Sequence, residues 1–248
     1  MPLPFDLSSG QGVFLAVALF AAAVIRGYSG FGFSAIFIIL ATLVTNPLPL
    51  IPVVFSCEIA MTLFQARGIR PHIDWRRAIA LLAGAAIATL PAVAVMSRLG
   101  ADQARLAISL LVLALSLLLL SGWTLSRSIG AMGHGLVGIG AGMANSAGVG
   151  GLPTAAFLTA QPIDPAVFRA TMVVFLTGID LMALPVMAAH GLTGQDTVWA
   201  VVLAFPVLGI GVWCGSRGFA VTSPTLFRRY VVALLAALAL LNLAKGAL

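Results

Sequence analysis

Long apolar runs, separated by short polar or glycine-rich segments, cover almost the whole chain. Ten runs can be marked, and they are residues 11–28, 31–45, 48–66, 78–97, 104–122, 129–144, 149–161, 166–189, 197–215 and 229–247. A membrane-spanning helix needs about 20 apolar residues, and the second, sixth and seventh runs are shorter than that. The pattern predicts an all-α polytopic membrane protein with about 8–10 transmembrane segments, including interrupted or hairpin helices.

Two glycine-rich turns interrupt this pattern at residues 26–34 and 142–153. A turn that starts a helix presents unpaired N–H groups and the positive end of the helix dipole, which suits an anion. The residues predicted to bind substrate are Arg26, Ser29, Gly30, Gly32 and Ser34 in the first turn, and Asn145, Ser146, Gly148, Gly150, Gly151 and Thr154 in and after the second. The alternative is that the glycines only allow close helix packing and the hydroxyl groups bond their own backbone.

The two halves of the chain resemble each other. A shift of 118 residues places Gly30 and Gly32 on Gly148 and Gly150, Asn46-Pro47 on Asp164-Pro165, and His72 on His190. Each half has five segments, an odd number, so the second copy must enter the membrane from the opposite side. We therefore predict one membrane domain, 1–248, built from two inverted-topology repeats, 11–122 and 129–247.

Composition supports a membrane location and orients the chain. The sequence is 61% hydrophobic and 8% charged, too apolar for a soluble globule, and its net charge of +6 forms no basic patch for nucleic acid. Positive residues favour the cytoplasmic side, which predicts an outside N-terminus. The inner side then collects Arg26, Arg67, Arg70, Arg76, Arg77, Arg127, Arg169, Arg217, Arg228 and Arg229, and the outer side receives Arg98, Arg105 and Lys245.

Glu58 and Asp180 are acidic residues within apolar segments, at nearly matching places in the two halves. An ionisable group at membrane depth is costly and is a functional candidate by default, so we assign both residues to coupling with H⁺. The alternative is a structural ion pair with Arg26 or Arg67. Arg26 and Arg169 have guanidinium groups that suit an oxyanion, although an anchor at the lipid headgroups is the competing explanation.

The sequence gives no reason to expect a cofactor or a bound metal ion. Cys57 and Cys214 lie in apolar runs without metal-ligand spacing. No two of His72, His134 and His190 stand three or four residues apart, as two ligands on one helix face would.

Two other functions compete with secondary transport. A passive anion channel would use the same turns and helix ends to line a pore. An intramembrane serine protease is less favoured: Gly27-Tyr-Ser-Gly30 fits a GxSG pattern and His190 would be the base. That interpretation leaves the repeat unexplained.

Several motifs, in order along the chain, resemble the TauE/SafE family of sulfite and organosulfonate anion permeases. They are Gly30-Phe-Gly-Phe33, His72-Ile-Asp-Trp75, and Gly138-Ile-Gly-Ala-Gly142 leading into Gly148-Val-Gly-Gly151. The resemblance covers essentially the whole chain, with Phe33 where family members often carry a further glycine. It implies secondary transport of a small, often sulfur-containing anion across a bacterial inner membrane, coupled to an ion gradient. The resemblance does not decide whether the protein forms a homo-oligomer.

Overall fold

The computed structural model describes residues 3–125, 129–219 and 224–246, and within these it contains ten α-helices and no strand. The helices are α1 (Ser9–Ser29), α2 (Phe33–Ala41), α3 (Ile51–Ile69), α4 (Trp75–Met96), α5 (Ala101–Leu120), α6 (Ala131–Asn145), α7 (Gly151–Thr159), α8 (Pro165–Ala189), α9 (Gln195–Phe219) and α10 (Pro224–Gly246). Each predicted apolar run corresponds to one helix. The predicted all-α fold class is confirmed.

The helices differ in whether they can cross a bilayer. Six helical segments of the described chain are long and apolar enough to do so, and they lie at α1, α3, α4, α5, α8 and α9. By contrast, α2 and α7 have nine residues each, a length of about 14 Å against a hydrocarbon core of about 30 Å. The two short helices directly follow the glycine turns, as an interrupted membrane helix requires.

Short polar side chains fix where several helices begin. Ser8 and Gln11 form a capping box at α1, in which the Ser8 hydroxyl accepts from the Gln11 backbone N–H and the Gln11 side chain accepts from the Ser8 N–H. Asp74 accepts from the Arg77 N–H at the start of α4, and Asp164 caps α8. These caps satisfy donors that the first helical turn leaves unpaired.

Helices α3 and α8 pack against each other and run in opposite directions. The hydroxyl oxygens of Thr62 and Thr177 lie 2.6 Å apart across this contact. Ile69, later in α3, packs with Ala170, earlier in α8. Rising residue numbers in one helix therefore meet falling numbers in the other, which defines an antiparallel pair.

Several other helix contacts join one half of the chain to the other in corresponding pairs, which we call the exchanged pairs. When α1–α5 are placed on α6–α10 in order, α4 corresponds to α9 and α1 to α6. Helix α4 packs against α6 as α9 packs against α1, and α4 meets α8 as α9 meets α3. Likewise α5 contacts α7 and α10 contacts α2, while α3–α8 and α5–α10 map onto themselves. This is the pattern that two copies around a pseudo-two-fold axis produce. The inversion of the repeats across the membrane stays a prediction.

Glycines bring the exchanged pairs into backbone contact. In the α4–α6 pair, Gly84 faces the Gly135 carbonyl, and in the α1–α9 pair, Gly27 faces Val212 and Gly215 faces Val24. A Cβ at Gly84, Gly27 or Gly215 would overlap the facing backbone. Small residues at helix contacts allow this close approach in membrane proteins.

Four of the positive residues used to orient the chain cannot be placed. Arg127 lies outside the described residues, as do the side chains of Arg228, Arg229 and Lys245.

Candidate functional site

The central residues of both glycine turns, 26–34 and 144–152, are buried inside the helix bundle. Gly30 and Gly32 adopt φ of 80° and 90° before α2, and Gly148 adopts φ of 74° before α7. Glycine reaches this left-handed region without the steric cost that a side chain adds. The chain can therefore reverse within a few residues at each turn, which places the start of both short helices in the protein interior.

Each turn packs against the other half of the chain. An ideal Cβ on Gly30 would lie 2.8 Å from Cγ of Arg169 and 2.9 Å from the Arg169 carbonyl oxygen. A Cβ on Gly148 would lie 3.0 Å from Cγ1 of Ile38, in the middle of α2. That residues of both turns bind the anion stays a prediction.

Glycines after the second turn pack more locally. Gly150 faces the side chain of Asn145, and Gly151 contacts Leu176 on α8 at close distance. Gly150 has φ of −58°, so its lack of a side chain serves close packing rather than an unusual backbone angle.

Arg26 and Glu58 form a buried ion pair between α1 and α3. The Arg26 Nη1 donates to Glu58 Oε1 at 3.2 Å, and both side chains are 0% exposed. Arg26 Nε and Nη2 have no hydrogen-bond partner among the described residues. Because Arg26 is enclosed by protein, it is not an anchor at the lipid headgroups, and that competing explanation is wrong. Arg26 therefore does not count among the positive residues that orient the chain by their position at the cytoplasmic surface.

The second half of the chain supplies an equivalent pair between α6 and α8. Asn145 Nδ2 donates to Asp180 Oδ1 at 3.2 Å, and both residues are buried. Arg26 precedes Gly30 by four residues, and Asn145 precedes Gly148 by three. The two donors therefore occupy corresponding places, each within about one helical turn of a left-handed glycine.

The two pairs meet where α3 packs on α8. The carboxyl group of Asp180 lies next to that of Glu58, close enough to share a hydrogen bond when one of them is protonated. Arg26 lies near enough to interact electrostatically with Asp180. We call Arg26, Glu58, Asn145 and Asp180 the central cluster. With both carboxyl groups ionised, one positive and two negative charges leave the cluster at −1. A single proton makes it neutral.

Three of the predicted hydroxyl donors bond to nearby backbone. Ser29 donates towards the carbonyls of Ile25 and Phe31, Ser146 donates to Met143, and Thr154 donates to Gly150 at 3.4 Å. These contacts match the alternative left open for them, in which the hydroxyls serve the local fold. Ser34 is 3% exposed in the first turn of α2, and its part in anion binding stays a prediction.

Arg169 has a structural task at the first turn. Its Nη2 donates to the Gly27 carbonyl at 2.6 Å and to Ser216 Oγ at 3.1 Å. Gly27 lies in the last turn of α1, where carbonyls lack helical partners. Arg169 thus ties α8 to the ends of α1 and α9.

The protease alternative lacks its catalytic pair. The Ser29 hydroxyl is buried against backbone carbonyls, whereas His190 is exposed at the end of α8. A serine nucleophile needs a base within hydrogen-bond reach, and the two residues are not arranged in this way.

Three polar residues beside the central cluster were not predicted from the sequence. Thr62 and Thr177 bridge α3 and α8, and Gln65 is 5% exposed with neither of its amide atoms bonded in the described structure. The signal was present, because Glu58, Thr62 and Gln65 stand at i, i+4 and i+7, which places them on one helix face.

These features define a polytopic helical membrane protein with interrupted helices and a buried charged centre, the architecture of a transport protein. A family model described as sulfite exporter TauE/SafE matches residues 14–241. The chain belongs to the TauE/SafE sulfite exporter family, whose members transport anions across membranes. No curated protein and no solved structure matched the chain.

Proposed function

We propose that this protein is a proton-coupled secondary transporter that moves sulfite, or a related small sulfur oxyanion, across a bacterial inner membrane. One observation carries the proposal: a fully buried arginine, Arg26, keeps the Nε and Nη2 donors of its guanidinium group unpaired among the described residues, beside two buried carboxyl groups.

The unpaired donors of Arg26 fit an oxyanion. Nε–H and one Nη2–H point along the same edge of the guanidinium plane and can bind two oxygens of one anion. Nη1 meanwhile remains with Glu58, so the arginine stays positioned. The buried starts of α2 and α7, which follow α1 and α6, add helix dipoles of favourable sign near the same turns.

The carboxyl groups supply the coupling. An anion that approaches Arg26 also approaches Glu58 and Asp180, and its binding is opposed while the cluster carries a charge of −1. One proton on the carboxyl pair removes that opposition. The proton and the anion should therefore occupy the site together and cross the membrane together.

The arrangement of the helices suits alternating access. The antiparallel α3–α8 pair and the exchanged contacts of the other helices support an inverted repeat, whose two halves can rock around a fixed central site. Counterflow distinguishes a carrier from a passive channel, because anion on the opposite side does not stimulate flux through a channel.

Binding by the purified protein tests the proposal. Thermal unfolding should be measured with sulfite, sulfate, thiosulfate, sulfoacetate, taurine and small carboxylates, since a ligand that binds only the folded state raises its stability. We expect stabilisation by sulfite or another sulfur oxyanion. In liposomes, sulfite on the opposite side should accelerate labelled sulfite exchange. Absence of this stimulation with intact, saturating binding would favour a channel and contradict the carrier proposal.

A further inference from the structure

A polar face of α3 leads away from the central cluster along the contact with α8. Glu58, Thr62 and Gln65 follow one another along this face, and Thr62 bonds Thr177 of α8. We call Thr62, Gln65 and Thr177 the polar seam. It begins about one helical turn from Glu58, so it continues the central cluster towards one end of the helix pair.

Gln65 is the unexplained member of the seam. Its side chain is 5% exposed, yet neither Nε2 nor Oε1 has a hydrogen-bond partner among the described residues. Buried polar groups are nearly always paired with protein or with ordered water, so an unpaired amide requires a reason. An amide offers both a donor and an acceptor, which are the two groups that a water molecule in transit needs.

Beyond Gln65 the seam is closed by apolar side chains. Ile69 packs with Ala170 and Val173 in a small cluster separate from the main core. On the other side of this cluster, the Asp74 N–H donates to Thr171 Oγ1 at 3.1 Å, and the Asp74 carboxylate, 26% exposed, pairs with Arg77. One apolar layer therefore separates the seam from a partly exposed charged pair, Asp74 and Arg77, which we call the Asp74 surface.

We propose that the polar seam is the route by which protons pass between the Asp74 surface and the central cluster, with Gln65 binding the water that carries them. Ile69, Ala170 and Val173 form its gate, closed in this structure; hydrophobic constrictions of this kind open by wetting. The inference rests on the proton-coupled function proposed above. At the cluster, an O–H bond of a protonated water breaks as the carboxylate oxygen gains that proton, and no other reactant is required.

The charges around the seam favour protons over the anion. At the end next to the central cluster it meets Glu58 and Asp180, which repel an anion, and the one positive charge of the cluster, Arg26, is paired with Glu58. At its other end, beyond the apolar layer, lie Asp74 and Arg77, which already pair with each other. The seam itself has no positive charge, so an oxyanion would lose hydration there without compensation.

Substitution of Gln65 tests the route in liposomes that report internal pH while sulfite flux is measured. Q65M keeps the length of the side chain but removes the amide donor and the carbonyl acceptor, and it should slow sulfite-driven proton movement by about tenfold or more while sulfite affinity stays normal. Q65N should retain most of the proton movement. The matched control is S116A, because Ser116 is also buried and unpartnered within the described chain but lies on α5; it should behave as the wild type.

Normal proton movement in folded Q65M would overturn the inference. If Q65M does not fold, Q65C in a C57S/C214S background decides the matter through the reaction of its new thiol with a small methanethiosulfonate. That thiol should react during turnover, whereas the thiol of L81C, at a fully buried apolar position of α4, should not. An inert thiol in Q65C would equally overturn the route. If the wild type moves sulfite without protons, the proposed function fails instead, and the reactivity of Q65C still reports whether the seam is hydrated.

Discussion

Arg26 and Glu58 face each other across α1 and α3 at 3.2 Å, and both side chains are completely enclosed. A buried ion pair adds little net stability, because removing two charges from water costs about as much as their attraction returns. Such a pair is better explained by a function in substrate binding than by a contribution to stability. Its position beside Asp180, about one helical turn before Gly30, supports the proposed role of Arg26 in anion binding.

Replacing Arg26 with lysine separates charge from hydrogen-bond geometry. R26K should keep a cation near Glu58 but lose the two adjacent donors, Nε and Nη2, that can bind the anion together. We expect sulfite affinity to fall about tenfold or more, since one hydrogen bond to a charged group contributes about 1.5–3 kcal/mol. Isothermal titration with detergent-purified protein measures this. Wild-type affinity in R26K would remove Arg26 from the anion site.

Replacing Asp180 with asparagine removes a proton site while leaving a partner for Asn145. D180N should therefore bind sulfite but no longer respond to a pH gradient, because the carboxyl group that accepts the proton is gone. Gradient-driven sulfite uptake into liposomes is the measurement. D102N is the control, since the Asp102 side chain is 95% exposed at the start of α5. Unchanged accumulation by D180N would refute its part in coupling.

Gly30 should be far less replaceable than Gly122, although both have positive φ. G30A combines strain of about 1–3 kcal/mol with a clash against Arg169. G122A incurs only the strain, because nothing lies within 4 Å of its added Cβ. Thermal unfolding should show a clearly larger loss for G30A. Equal losses would mean that the contact between the first turn and α8 contributes little.

Two glycines of α6 test the packing of the exchanged helix pairs. A Cβ at Gly138 would collide with the Leu81 carbonyl of α4, whereas one at Gly140 meets nothing within 4 Å. G138A should lower stability by about 1–3 kcal/mol, as overpacking does, and G140A should be neutral or mildly stabilising because alanine favours helices. Urea or thermal unfolding of both variants compares them, and similar behaviour would argue against backbone contact at Gly138.

The helices were predictable because hydrophobic length is the dominant signal in a membrane. Every apolar run became a helix, and the short runs beside Gly30 and Gly148 became the nine-residue helices α2 and α7. The acidic residues Glu58 and Asp180 also stood out in the sequence, since an ionisable residue is rare at that depth.

The partners of these residues were harder to predict because they depend on tertiary packing. Sequence alone left both the anion site and a headgroup anchor open for Arg26 and favoured the anchor, which the enclosure of Arg26 beside Glu58 rules out. Gln65 was missed because amides are common at helix surfaces, and its burial becomes visible only when α8 covers that face. Arg169 likewise owes its role to a carbonyl, Gly27, 142 residues away.

Simultaneous measurement of sulfite and proton movement in liposomes tests the central claim most directly. An outward sulfite gradient should carry protons out with the anion, so that the internal pH rises in step with sulfite loss, and D180N should abolish the pH change. Sulfite movement by the wild type with no accompanying proton, or equal proton movement in D180N, would contradict proton-coupled transport through the central cluster.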